Sequence, residues 1–204
     1  MSITNGYATL NDVKAALHVG PAVTADDALI ELAIESASRL IDEDCGRVFY
    51  ASGTGVTRAY APRDWMRVDT DDLISISAID VDTDHDGVYE TSWGTADYRT
   101  APANGISGGR AWPTTSILAI ADKRFYPYGH ELTVRVTGNY GFGTAVPAAI
   151  KQATVLQASR IYKRNDSPLG VAGFGDMGAV RVSRTDPDVF ALVKGYRRNP
   201  IAVG

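Results

Sequence analysis

The chain has 204 residues, of which 45% are hydrophobic and 22% are charged, and its net charge is −4. This composition is ordinary for a globular domain and excludes a disordered or fibrous chain. The acidic balance gives no general reason to expect nucleic-acid binding. No apolar run approaches the roughly 18 residues of a membrane helix and no signal peptide is visible, so we expect folding in the cytoplasm without a membrane partner.

Charge is divided unevenly along the chain. Residues 1–150 contain 11 Lys and Arg against 20 Asp and Glu, a net charge of −9, whereas residues 151–204 contain 9 against 4, a net charge of +5. An acidic body with a basic last quarter suits a complementary partner, which includes another copy of the chain. The alternative is a solvated surface on which the charges are scattered unevenly.

Two helices are predicted before residue 50. The first covers 9–19, with Thr9 as its N-cap and a stop at Gly20. The second covers 25–45, with Thr24 as its N-cap and Gly46 as its exit. The second carries a wide apolar stripe, which is typical of a core helix and, in an assembly, of a subunit interface. The stripe comprises Leu29, Ile30, Leu32, Ala33, Ile34, Ala37, Leu40 and Ile41.

The single cysteine, Cys45, ends the second predicted helix. One cysteine cannot form an intrachain disulfide. No histidine lies nearby in the sequence to activate the thiol, so we expect a buried structural residue rather than a nucleophile.

Residues 50–145 are predicted to form an inserted antiparallel β module. Apolar and polar residues alternate at 56–60, 74–79 and 132–136, which indicates strands with one buried face. Asp86-Gly87 predicts a hairpin turn between strands at 79–81 and 88–90. The stretch 101–113 is rich in glycine and proline and is predicted to be a long loop.

Helical character returns after Val146. A helix is predicted at 147–164, beginning with Pro147 and ending on Lys163 and Arg164, where cations suit the helix dipole. A glycine-rich arm follows at 165–186, with a short strand near Val180, and a last helix covers 187–196. Long segments without regular structure are usually functional, so we expect the arm to become ordered on a partner.

In its order of motifs the chain resembles the head–tail connector proteins of long-tailed phages, also called head completion or adaptor proteins. The residues that carry the resemblance are spread over nearly the whole chain. They are Tyr7-Ala8-Thr9-Leu10, Asp12-Val13-Lys14, Ala37 to Asp42, Cys45 to Tyr50, Val146-Pro147, Ile150 to Ala153, Ala158 to Arg164, Asp166 to Gly170, Asp186 to Val189 and Tyr196-Arg197-Arg198.

The resemblance implies an α+β fold in which 1–49 and 146–204 form a helical connector core and 50–145 is an insertion that smaller family members lack. It implies a virion protein that is assembled in the host cytoplasm. Its subunits form a ring of twelve beneath the portal protein, extend the channel through which double-stranded DNA passes without specific binding, and offer a surface to the next neck or tail protein. A closed ring needs a heterologous interface, which a charge-divided molecule suits.

The residues assigned to these interfaces are the basic and apolar side chains of the last quarter, because Tyr and Arg are enriched in interface anchors. They are Arg160, Lys163, Arg164, Leu169, Val171, Phe174, Met177, Arg181, Arg184, Tyr196, Arg197 and Arg198. The alternatives are a channel lining that touches DNA, a solvated face, and a frayed terminus.

An acidic run offers an alternative site for calcium. Asp82, Asp84 and Asp86 occupy positions 1, 3 and 5 of a calcium-loop pattern with Gly87 at position 6, and Glu90 lies close by. Position 12, which needs a bidentate Glu, is Trp93, and the flanks are predicted strands. A solvated hairpin tip explains the run more simply.

Neither a nucleophile–base pair nor a metal-type histidine spacing is visible, so we expect no enzymatic activity and no cofactor. Two other functions are kept as alternatives. One is a different neck or tail protein, such as a stopper or a tail terminator, although these are usually rich in β-structure. The other is a calcium-dependent binding module.

Overall fold

The structure is a computed structural model that describes residues 3–164 and 186–198, together with the backbone of 171–172 and 180–181. The chain divides into two compact units. The helical unit combines Met1–Arg47 with Val146–Gly204, and the sheet unit is Val48–Ala145. The predicted α+β fold class is confirmed.

Four α-helices build the helical unit: α1 at Leu10–Ala16, α2 at Asp27–Cys45, α3 at Ala148–Arg164 and α4 at Pro187–Val193. A 3-10 turn at Lys194–Tyr196 follows α4. α3 packs against the other three helices, and most extensively against α2. Small residues bring α2 and α3 close together, and branched residues fill the core between them. The buried core consists of Ala8, Val13, Ile30, Ala33, Ile34, Ala37, Val155 and Ala158.

α1 begins as predicted but ends earlier. Thr9 is its N-cap and forms a capping box with Asp12, in which each side chain accepts the backbone N–H of the other residue. The predicted stop at Gly20 is wrong, because the last helical residue is Ala16. His18 adopts a left-handed conformation with φ +59°, and the N–H of Val19 donates to the carbonyl of Lys14. This arrangement closes a helix in the manner of a Schellman motif.

α2 begins later than predicted. The proposed cap, Thr24, is wrong, because the helix starts at Asp27 and Asp26 precedes it without a side-chain cap. The buried Lys14 holds this entry: its Nζ donates to the carbonyl of Val23 at 2.7 Å and forms an ion pair with Asp27. The predicted exit is confirmed, since Gly46 adopts the left-handed conformation.

The sheet unit contains eight strands: β1 at Val56–Tyr60, β2 at Arg67–Val81, β3 at Thr91–Trp93, β4 at Tyr98–Ala101, β5 at Ile106–Ser107, β6 at Arg110–Ala111, β7 at Thr114–Ala119 and β8 at Val134–Tyr140. Six of them form one antiparallel sheet in the order β1-β8-β2-β7-β4, with β3 also paired to β2. Its core includes Trp93 stacked on Phe125, with ring centroids 4.7 Å apart.

β2 is long enough to pair with three strands, and its register shifts between Asp69 and Leu73, between Leu73 and Ser75, and between Ile76 and Ala78. Such bulges bend a strand and increase its twist. Gly138 of β8 lies at a close approach of β2, since a Cβ there would lie 2.2 Å from the carbonyl oxygen of Ser75.

Three expectations for the sheet unit need correction. Residues 88–90 form no strand, because β2 pairs with Thr91–Trp93 and the connection is therefore longer than an Asp-Gly turn. The stretch 101–113 is no plain loop, since β5 and β6 form a hairpin across Gly108 and Gly109, both with positive φ. The strand predicted at 132–136 begins at Val134.

The described backbone of the predicted arm contains two short strands, β9 at Val171–Ala172 and β10 at Val180–Arg181, which pair antiparallel. The strand expected near Val180 is confirmed, whereas its partner β9 was not predicted.

Candidate interface surfaces

The last turn of α3 carries a basic cluster. The guanidinium of Arg160 pairs with the Asp186 carboxylate at 3.4 Å, and Asp186 is also the N-cap of α4. Lys163 and Arg164 are exposed and form no ion pair with any described residue. The end of the arm at Asp186 therefore contacts α3, while Lys163 and Arg164 remain exposed on that helix.

Several predicted interface residues belong to the arm. Leu169, Phe174, Met177 and Arg184 lie outside the described residues. Val171 and Arg181 lie in β9 and β10, where only the backbone is described, and they face each other in the register of the two strands. Their roles remain predictions.

Residues 196–198 run back along α2. The Arg197 guanidinium donates to the Asp44 carboxylate at 2.5 Å and lies 4.5 Å from the centroid of the Phe190 ring. The backbone N–H of Arg198 donates to the carbonyl of Cys45 at 2.8 Å, and Tyr196 is half-buried. These contacts contradict the alternative of a frayed terminus as far as Arg198.

A groove of about 680 Å³ opens between α2 and α4. Its apolar lining includes Ile41, Val189 and Val193, and Leu40 and Phe190 also line it. Cys45 belongs to the lining but is buried, and burial, with a smaller contribution from Asp44, raises the pKa of its thiol to about 12. A thiol that stays protonated at neutral pH fits the predicted structural role.

Part of the α2 stripe is not core. Ile30, Ala33, Ile34, Ala37 and Ile41 are buried, as the stripe predicts. The other three members, Leu29, Leu32 and Leu40, are 46%, 52% and 47% exposed. We call these three residues the leucine row. Phe190 of α4, which is 42% exposed, is an apolar surface residue that the sequence did not single out.

The acidic run is brought together at the tip of the connection between β2 and β3. Asp82, Asp84, Asp86 and Glu90 each place one carboxylate oxygen within 4.8 Å of the others. The buried Asp82 accepts the N–H of His85 at 2.7 Å and that of Gly87 at 3.0 Å.

The other carboxylates of this run also have hydrogen-bond partners within the connection. Glu90 accepts from the backbone and hydroxyl of Thr83, and this hydrogen bonding lowers the pKa of Glu90. Trp93, at the position of the bidentate ligand, lies in the core. The cluster is therefore explained as the scaffold of a turn.

Residues 7–78 match the family model described as phage gp6-like head-tail connector protein. Over this segment the match confirms the resemblance to head–tail connector proteins that was inferred from the sequence. No curated protein sequence matches the chain. Among the described residues, no helix has the length and apolarity needed to cross a bilayer.

Solved structures from gene transfer agent particles share the fold. A chain in the neck of an empty particle, computed with C6 symmetry, is 18% identical with a TM-score of 0.60. One in the neck of a native particle, computed with C12 symmetry, is 18% identical with a TM-score of 0.57. One in the virion of a native particle is 19% identical with a TM-score of 0.59. Each alignment covers 100% of this chain and 96% of the other.

Proposed function

We propose that the chain is a structural subunit of the virion neck, where identical copies form the ring that joins the DNA-filled head to the tail. One observation carries the proposal: the fold agrees over the whole chain with proteins from particle necks. The head-tail connector match over residues 7–78 supports it independently. The C12 symmetry of one similar neck supports twelve copies in the ring.

In this proposal the chain has a structural role and catalyses no reaction. The ring lies beneath the portal protein, extends the DNA channel, and offers a surface to the next neck or tail protein. The four-helix unit argues against the alternative of a stopper or tail terminator, because those proteins are expected to be rich in β-structure. The carboxylate bonding at the β2–β3 connection argues against a calcium-dependent binding module.

The arm between α3 and α4 is the proposed connection to a neighbouring subunit or ring. Its ends are held together by the pair between Arg160 and Asp186, and β9 and β10 pair over only two residues each. A two-stranded hairpin is marginally stable at best in water, so a partner surface is needed to stabilise so short a ladder.

The basic C-terminal residues are proposed to contact the portal protein. The contacts of Arg197 with Asp44 and Phe190 assign it an anchoring role, because its guanidinium is already engaged within the subunit. Tyr196 and the backbone-anchored Arg198 are then presented at a fixed position beside α2.

The arm is tested by deleting residues 168–178 and imaging particles assembled with the variant. We expect heads and tails that fail to join, because the connection between subunits or rings is lost. The matched control shortens the β5–β6 hairpin of the sheet unit by deleting Gly108 and Gly109. Normal tailed, infectious particles from the arm deletion would contradict the role of the arm, and absence of the wild-type chain from purified necks would contradict the proposed function.

A further inference from the structure

The leucine row gives α2 a second apolar face. Leu29, Leu32 and Leu40 follow one another at spacings of three and eight residues, which places them on one side of the helix. The core face of α2 is formed by different residues, among them Ile30, Ile34 and Ile41. A leucine side chain left about half exposed retains much of the free energy that its complete burial would release. Three in a row therefore favour a partner surface.

The row continues into the groove. Leu40 belongs to the row and also lines the groove, together with Phe190. The apolar surface thus extends from one helix to another within the same unit. The exposed acid Glu43 lies one turn beyond Leu40 and forms no ion pair with a described residue.

Charge indicates what can cover this surface. Of the charges on α2 and α3, Asp27, Asp44, Lys151 and Arg160 are paired within the subunit. The exposed charges that form no ion pair with a described residue include Glu43 on α2 and Lys163 and Arg164 on α3, which have opposite signs. Two copies joined through the same α2 face would bring like charges together, which disfavours a symmetric dimer. A contact between α2 of one copy and the basic end of α3 of the next is complementary.

We propose that the leucine row and the groove beside it form the surface on which a second copy of this chain docks, with Lys163 and Arg164 of its α3 facing Glu43. Half-buried Ile161, next to the basic turn, supplies apolar area on the docking side. Such a contact joins two different faces and can therefore close a ring. The inference rests on the proposed ring and names the surface that builds it.

The first test compares two leucine-to-arginine variants. Leu32→Arg introduces a charge into the row. Leu132→Arg is the matched control, because Leu132 is 55% exposed and lies in the sheet unit. We expect Leu32→Arg to weaken the binding of one copy to the next at least about tenfold, the effect of losing an interface hot spot, and so to lower the number of copies bound per neck. Leu132→Arg should bind in wild-type number, and thermal unfolding should show that both variants fold.

The second test reverses charges. Glu43→Lys and Lys163→Glu should each weaken ring assembly, and the double variant should restore it, because the opposite charges then face each other across subunits. Copy numbers are measured by mass spectrometry of isolated necks. Normal rings with Leu32→Arg, or no rescue in the double variant, would overturn this inference while wild-type rings leave the proposed function standing. Absence of any ring of wild-type chains would instead overturn the proposed function.

Discussion

Lys14 is an ion-paired lysine inside the helical unit, with only 3% of its side chain exposed. Its Nζ donates to the carbonyls of Pro21 and Val23 and pairs with Asp27 at the start of α2. One ammonium group therefore donates to two backbone acceptors and pairs with a carboxylate, and it fixes the connection between α1 and α2. A buried charge with this many partners is costly to remove, because its partners stay behind without a donor.

Replacing Lys14 by Met should lower the free energy of unfolding by about 2–4 kcal/mol, since the apolar part of the side chain is kept and only the donor is lost. The matched control is Lys151→Met. Lys151 pairs with Asp12 at 2.9 Å, but 47% of its side chain is exposed, so we expect a loss of less than about 1 kcal/mol. Urea denaturation followed by circular dichroism measures both values. Equal losses of unfolding free energy in the two variants would show that burial does not determine how much each lysine stabilises the protein.

At the residue scale, the sequence predicts the role of a side chain well when that role depends on neighbouring residues, and poorly when it depends on tertiary contacts. The capping box of Thr9 and the structural role of Cys45 follow from local patterns, and the structure contains the capping box and a buried thiol. The role of Lys14 does not follow from a local pattern. Its acceptors lie seven and nine residues away, and their positions depend on the conformation of a loop. The leucine row was predicted together with the core residues, since hydrophobicity alone does not distinguish two apolar faces of one helix.

At the element scale, the connection between β2 and β3 depends on one carboxylate more than on its neighbours. Asp82 is buried and accepts two backbone N–H groups, whereas Asp84 is exposed and accepts one at 3.4 Å. Asp82 therefore stabilises the reversal of the chain that brings Thr91 opposite Val81.

Asp82→Ala should lower the free energy of unfolding by about 2 kcal/mol, because two partly buried N–H groups lose their acceptor, while Asp84→Ala should change it by less than about 0.5 kcal/mol. Both are measured by thermal unfolding with calcium and with a chelator. Each variant should have the same unfolding free energy with calcium as with the chelator. A calcium-dependent stability that Asp84→Ala abolishes would support the binding module instead.

The ends of several elements were predictable from local sequence, as at Thr9 and Gly46, where caps have defined geometry. Pro147, which was expected in the first turn, directly precedes the first helical residue, Ala148. Strand pairing was not predictable. Alternation of apolar residues locates β2 but does not name its partners, and its three register shifts break the simple alternation. The hairpin of β5 and β6 was missed because its strands have two residues each and both are exposed.

At the scale of the whole molecule, the division of charge connects sequence, structure and proposed assembly. The basic excess of the last quarter is partly neutralised within the subunit, since Arg197 pairs with Asp44 and Lys151 pairs with Asp12. The resemblance to connector proteins was inferred from motifs along nearly the whole chain, whereas the family model matches residues 7–78. The surfaces that make contact could not be predicted in the same way, because they depend on which charges remain unpaired after folding.

The ion pairs within the subunit predict weak affinity of the chain for duplex DNA. In the basic cluster at the end of α3, Lys163 and Arg164 are exposed, and adding the predicted Arg181 and Arg184 gives this cluster four phosphate contacts, fewer than the roughly six to ten of proteins that bind duplex tightly. The purified chain should therefore bind a short duplex more weakly than about 10⁻⁴ M near physiological salt, with a logarithmic salt slope no steeper than about −4. Fluorescence anisotropy measures both, with Lys163→Glu/Arg164→Glu as the matched control. Micromolar binding that this control abolishes would assign the basic turn to DNA rather than to a neighbouring subunit.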